Sequence, residues 1–232
     1  MRHWLFLLQR LPHRPLLGLI AATVVVFLIQ EVAGPAFSMT FGAIPQSIHQ
    51  SWLQLSESGP SLAAIGRLLT LVTAVFLHGS IDHILFNLVF LWAFASLCSG
   101  LLGTWRVFYL FFLFGLCGNL AQTMLNQESQ IPIIGASGAV LGFEGLYLGL
   151  ALNWELRWPD VWPLARPIPP MQLGLFAVVG VIFDVVAVIN RSGGGVAYGA
   201  HVGGFLCGLF VAFLITFLYR NKVDYEMGRR RF

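Results

Sequence analysis

The sequence predicts an all-α, polytopic membrane protein of six spans with both termini on the cytoplasmic side. Three observations carry this. Of 232 residues, 57% are hydrophobic and only 10% are charged, where soluble domains carry about 25% charge. The apolar residues gather into six runs, near 15–34, 76–101, 105–126, 134–153, 171–190 and 198–219. Each approaches the roughly 20 residues a helix needs to cross hydrocarbon. Finally, if the N-terminus is cytoplasmic, all but Arg67 and Arg191 of the 13 lysines and arginines fall on the inner side, as the positive-inside rule requires. None of the runs alternates with a period of two, which excludes a closed barrel, the other spanning architecture.

The elements follow in order. A short basic tail, 1–14, holds Arg2, Arg10 and Arg14. The first run is too long for a signal peptide and lacks a cleavage site, so it reads as a retained helix. It ends at Ala33-Gly34-Pro35. A long outer segment follows, about 35–70, containing Trp52, Leu53, Leu55 and Pro60. Its tryptophan and amphipathic stretches predict a segment lying on the outer leaflet. The second and third runs are joined by a tight turn near Gly100–Trp105, and Asn126–Pro132 is a short polar outer loop. The proline-rich segment 154–170 reads as a connector at headgroup depth. The last outer loop, 190–198, carries Gly193-Gly194-Gly195, a flexible connection. Residues 15–219 thus form one membrane domain, and 220–232 a basic cytoplasmic tail. The net charge of +3 needs no nucleic-acid partner; its excess sits where anionic lipid attracts it. Cys98, Cys117 and Cys207 are odd in number and fall in or beside spans, which argues for packing residues over a disulfide framework. No internal repeat signals a transporter.

Three polar constellations open three different runs on the same side of the membrane. Gly135-Ala136-Ser137-Gly138 opens the fourth. A serine at a helix start is ordinarily an N-cap. Flanking glycines, however, let backbone approach, and a helix N-terminus stabilises negative charge. Gly199-Ala200-His201-Val202-Gly203-Gly204 opens the sixth. A histidine in a span is either a functional group or a helix-end residue reaching headgroups. Ala200, Gly204 and Gly208 are spaced by four, and Gly138, Gly142 and Gly145 form a similar stripe. Such stripes let membrane helices pack closely, with Ser137 and His201 at matching depth as nucleophile and general base. No carboxylate is evident beside them, so the pair reads as a dyad. On the second run His83 and Asn87 are four apart and share a face. They are either oxyanion donors or a polar contact between helices. His78 falls off that face and reads as a structural donor.

Taken together, His78-x4-His83-x3-Asn87, Gly135-x-Ser137-Gly138 and Ala200-His201-x2-Gly204-x3-Gly208, in that order, resemble the rhomboid family of intramembrane serine proteases. Phe41-Gly42-Ala43-Ile44-Pro45 resembles the start of that family's first outer loop. The resemblance runs from about 15 to 219. It implies a six-helix bundle with a water-filled cavity open to the outside, and Ser137 as nucleophile with His201 as base. It implies an oxyanion hole from the Ser137 N–H, His83 and Asn87, and substrates that are single-span membrane proteins cut near the outer end of their helix. No cofactor or metal is implied. The compact layout suits a bacterial plasma membrane. Some positions depart from the family's pattern. Leu69-Thr70 stand where a Trp-Arg pair is common, with Arg67 nearby. Ser99 stands for a glutamate, and Leu141 for an aromatic that would lie under the base. Glu144, about 10 Å below Ser137 on the same helix, reads as a neutral carboxyl bonded to a neighbouring span or holding a water chain. Asp184 reads as a partner for a loop group. The alternatives are a catalytically silent relative that binds membrane clients, and a metal carrier using His78, His83 and His201.

Overall fold

The computed structural model describes residues 14–156, 168–190 and 195–229, the stretch 220–229 as helical backbone only. Nearly all of it is helix. Helix α1 covers Arg14–Ala33, α2 Pro35–Phe41, α3 Pro45–Ser58 and α4 Leu62–Thr73. A 3₁₀ turn at Ala74–Phe76 precedes α5, Ile81–Leu102; then come α6, Thr104–Leu125, and α7, Ser137–Asn153. Helices α8, Pro170–Ile189, and α9, Tyr198–Arg229, complete the chain. Among the described residues the one strand-like feature is an isolated antiparallel bridge between Ala43 and Ile133.

Among the described residues, five helices are long and apolar enough to cross a membrane: α1, α5, α6, α8 and the Tyr198–Tyr219 part of α9. Helix α7 has 17 residues, short of the usual crossing length. It sits at the centre of the bundle, with almost every residue from Gly138 to Leu150 buried, and packs on α5, α6, α8 and α9. Burial explains how this short helix is tolerated: most of its length meets protein instead of lipid, and Leu152 and Asn153 at its end are exposed.

Glycine makes the centre possible. A methyl group added at Gly204 would land on the Gly138 carbonyl, and one at Gly208 on the Gly142 carbonyl. Helices α7 and α9 therefore touch backbone to backbone along the two stripes. Around this seam Phe111, Phe114, Phe143, Leu146 and Leu150 are fully buried, with the Phe114 and Phe143 rings edge to face at 5.2 Å. Two buried hydroxyls return to their own helices: Thr23 Oγ1 donates to the Leu19 carbonyl and Thr123 Oγ1 to that of Asn119. That is how a hydroxyl is accommodated without water.

Several boundaries differ from the sequence reading. The second run does not begin at 76 as helix. Ser80 caps α5, accepting from the His83 N–H at 3.1 Å, with Asp82 in the first turn, so His78 lies in the preceding coil. Hydropathy alone had merged the apolar Ala74–Phe76 turn with the helix. The fourth run starts at Ser137; Ile133 before it pairs with Ala43. Segment 35–70 is no open loop: it forms α2, α3 and most of α4, with Ser61 capping α4 through the Ala64 N–H. The turn between α5 and α6 is a single residue, Gly103, at φ 89°, a conformation that favours glycine. The tail 1–13, most of the connector 154–170, Gly193, Gly194, Arg230 and Arg231 lie outside the described residues.

Candidate active site

Ser137 is the first residue of α7, and Ala136 occupies the cap position without any side-chain cap bond. The hydroxyl is thus released from the usual capping role. It meets His201 instead: Ser137 Oγ and His201 Nε2 are 2.9 Å apart. The close α7–α9 seam explains the meeting, since each side chain sits at the start of one of the two helices that touch. On its other side His201 Nδ1 lies 3.0 Å from Asp184 Oδ2. The expectation that no carboxylate stands beside the pair, and that Asp184 bonds a loop group, is therefore corrected. Helix α8 carries that carboxylate in from a third direction, which its position in the chain does not reveal.

Two further nitrogens face the same space. Gly79 N–H donates to His83 Nδ1 at 3.3 Å, which leaves the proton on Nε2. A Cβ on Gly135 would meet that Nε2 at 2.8 Å and Ser137 Oγ at 3.8 Å. The His83 Nε2–H is therefore a donor lining the same cavity as the hydroxyl. Gly135 also has φ 120°, so both its backbone and its lack of a side chain are required here. Asn87 is buried and spends one amide hydrogen on the His83 carbonyl at 2.9 Å; its second remains for the cavity it lines. As the first helical residue, Ser137 also has a backbone N–H without an intrahelical acceptor.

The supports are equally specific. His78 is fully buried; it lies in the coil before α5, so the helix-face argument does not apply to it, and it is hydrogen-bonded to neither Ser137 nor His201 among the described residues. Burial, reinforced by the neighbouring His83, lowers its pKa to about 4, so it is neutral near neutral pH. Its Nε2 accepts from the Ala136 N–H and its Nδ1 faces the Phe76 carbonyl, both at 3.4 Å. The Gly135 N–H donates to the Ala74 carbonyl at 3.0 Å. The turn ahead of Ser137 is thus held from two sides. His78 is itself held by Gln30 of α1, whose amide both accepts from the His78 N–H at 3.1 Å and donates to its carbonyl. Gln30 is a supporting residue that the sequence reading passed over. Its signal was available: a lone amide in an apolar run. Gly138, Gly204 and Gly208 act at the seam described above.

The serine, His201, Asp184, His83 and Asn87 line one cavity of about 880 Å³, which the supporting residues do not reach. Ser137, His201, His83 and Asp184 are at its polar part, while Phe86 and Phe90 of α5 and Leu173 and Phe176 of α8 form apolar walls. Glu144 also lines it and is 7% exposed. Among the described residues it makes no hydrogen bond, so the expected bond to a neighbouring span is absent. Leu141 lines the cavity too, and the ring nearest His201 is Tyr198, edge-on at 6.4 Å. Cys117 and Cys207 are free thiols in contact at 3.1 Å, and Cys98 is buried and free. Among the described residues no group of three or more His, Cys, Asp or Glu could hold a metal ion.

Long apolar helices, a central buried helix and a serine–histidine contact facing a cavity define a multi-pass helical membrane protein with a polar centre between its helices. A family model described as the rhomboid domain matches residues 65–217. The chain belongs to the rhomboid family. It is 28% identical to RHOMBOID-like protein 5 of Arabidopsis thaliana over 156 residues, 67% of this chain and 46% of that protein. It is 30% identical to Rhomboid protease GluP of Bacillus subtilis over 154 residues, 66% of this chain and 27% of that protein. It is 28% identical to Rhomboid protease GlpG of Pectobacterium atrosepticum over 208 residues, 90% of this chain and 64% of that protein. The chain thus spans less than half the length of the first two relatives and just under two thirds of the third.

Proposed function

We propose that this protein is an intramembrane serine endopeptidase that cuts the transmembrane segments of single-span membrane proteins. One observation carries the reading: a serine hydroxyl lies 2.9 Å from an imidazole nitrogen inside a cavity walled by apolar helices. His201 Nε2 takes the Ser137 proton as Oγ bonds to the scissile carbonyl carbon. The oxyanion forms beside the Ser137 N–H, His83 Nε2 and Asn87 Nδ2. Collapse breaks the C–N bond, and His201 returns the proton to the leaving amine. A water then gives its proton to His201 and its oxygen to the acyl carbon, releasing Ser137. The relatives named as rhomboid proteases support the same chemistry.

The substrate helix must first unwind, because its carbonyls are already bonded; a polar cavity supplies the water that makes this tolerable. Helix α8 is the least buried of the five long helices and packs on α7 and α9. Its separation from α5 is the entry we favour for a substrate helix arriving from lipid. We place both termini in the cytoplasm, α7 as the fourth of six crossings and the site near the outer face, from the distribution of Lys and Arg. The host membrane we favour is a bacterial plasma membrane.

The test is purified protein in lipid with a panel of single-span substrates, alongside Ser137→Ala and a fluorophosphonate probe. The probe is expected to label Ser137, and Ser137→Ala to be inert. Undiminished cleavage by Ser137→Ala removes the nucleophile.

A further inference from the structure

We propose that Asp184 is a positioning residue for His201, so that the base is oriented by helix α8 as well as by its own helix. The inference rests on the peptidase reading above. Asp184 is the one charged residue of its span, where an ionisable side chain is costly unless partnered. Its partner is His201: Oδ2 lies 3.0 Å from His201 Nδ1, and His201 Nε2 lies 2.9 Å from Ser137 Oγ. A carboxylate can only accept, so Nδ1 carries the proton and Nε2 keeps the lone pair that faces the hydroxyl. The bond thereby selects the tautomer that a general base needs. It also fixes the rotation of the ring. Among the described residues no ring stacks on it: Tyr198 stands at 84° to it with centroids 6.4 Å apart.

The charge works in the same direction. When Nε2 accepts the serine proton, the ring becomes an imidazolium next to a carboxylate that is 15% exposed, where the attraction is only partly screened. In this step the serine proton stops at Nε2, and none passes on to Asp184. The other polar groups facing His201 are Ser137 from α7, His83 from α5 and Tyr198 from its own helix; Glu144 of α7 lies across the cavity near Asp184. None of them is hydrogen-bonded to Nδ1 among the described residues. The three members of the contact come from three helices, α7, α8 and α9. Since α8 carries the carboxylate, displacing α8 to admit substrate would also release the ring. The base is then fully oriented only when α8 is docked.

The test compares wild type with Asp184→Asn and Asp184→Glu in lipid vesicles, with Ser137→Ala as control. For Asp184→Asn we expect kcat to fall about 10²-fold, less than the ~10⁴ of a fully buried triad aspartate, with KM within about twofold. Fluorophosphonate labelling of Ser137 should slow by a similar factor, because a small probe does not need α8 to open. Asp184→Glu should recover part of the loss. An Asp184→Asn protein that is labelled and turns over at the wild-type rate, or whose only change is in KM, overturns the proposal while Ser137→Ala remains inert. Cleavage by Ser137→Ala would instead overturn the peptidase reading. The ¹⁵N spectrum of His201 in the wild-type protein is a check independent of any variant: a proton on Nδ1 is expected, and one on Nε2 refutes the assignment.

Discussion

The α7–α9 seam sets the distance between hydroxyl and imidazole, and Gly204→Ala tests it. The added methyl would fall on the Gly138 carbonyl oxygen, carbonyl carbon and Cα. All three are backbone atoms of a buried helix, so no flexible side chain can yield. Relief requires the two helices to part by about 1 Å, at a cost of about 1–3 kcal/mol for overpacking. Gly138 directly follows Ser137, and Gly204 lies one turn below His201, so the parting acts almost at the reacting atoms. Opening the 2.9 Å contact to about 4 Å takes it beyond hydrogen-bond range. A misplacement of about 1 Å can cost 10²-fold in rate. We therefore expect Gly204→Ala to lower kcat on a reconstituted single-span substrate about 10²-fold and to lower the thermal midpoint in detergent. Gly18→Ala is the control: nothing lies within 4 Å of a Cβ there, and in a helix interior the change should stabilise by about 0.5–1 kcal/mol. A Gly204→Ala protein with wild-type kcat and midpoint would refute the claim that backbone contact at this seam sets the site.

Two further predictions separate the oxyanion donors from the scaffold that holds them. Asn87→Ala removes a donor whose second hydrogen faces the cavity, and should lower kcat about 10²–10³-fold with little change in thermal midpoint, measured on the same substrate. Gln30→Leu strands the N–H and carbonyl of His78 in a buried site, each costing about 1–3 kcal/mol; the thermal midpoint should fall clearly, and an unchanged midpoint would show that these groups find other partners.

The long helices were legible because lipid imposes a strong rule on sequence: some 20 apolar residues with few charges. The serine and histidine were legible because small residues flank both, and stripes spaced by four reveal which helix faces meet. What escaped was the detail that helix rotation decides. Asp184 is one carboxylate in a run of apolar residues, and nothing local says whether it turns toward a loop or toward α9. Its rotation is revealed by the partner it meets, His201 of α9, and that meeting is a property of the assembled bundle. The start of α5 escaped for a different reason. Ser80 with Asp82 is a recognisable helix start, yet the neighbouring Ala74-Val75-Phe76 is apolar enough to extend the run across it.

Polar residues within the spans are few, and the structure gives several of them a partner on another element. Gln30 ties α1 to the His78 backbone, Asn119 ties α6 to the Leu71 carbonyl of α4 at 2.8 Å, and Asp184 ties α8 to His201. Apolar packing against lipid-like neighbours discriminates weakly between helix rotations, because one leucine face resembles the next. A single hydrogen bond whose loss would strand a polar group in hydrocarbon discriminates sharply. The rotational register of α1, α6 and α8 is therefore fixed by three side chains. Two of the three bonds, those of Gln30 and Asp184, end on residues that touch Ala136 or Ser137, so the restraints that set helix register are also the ones that hold the site.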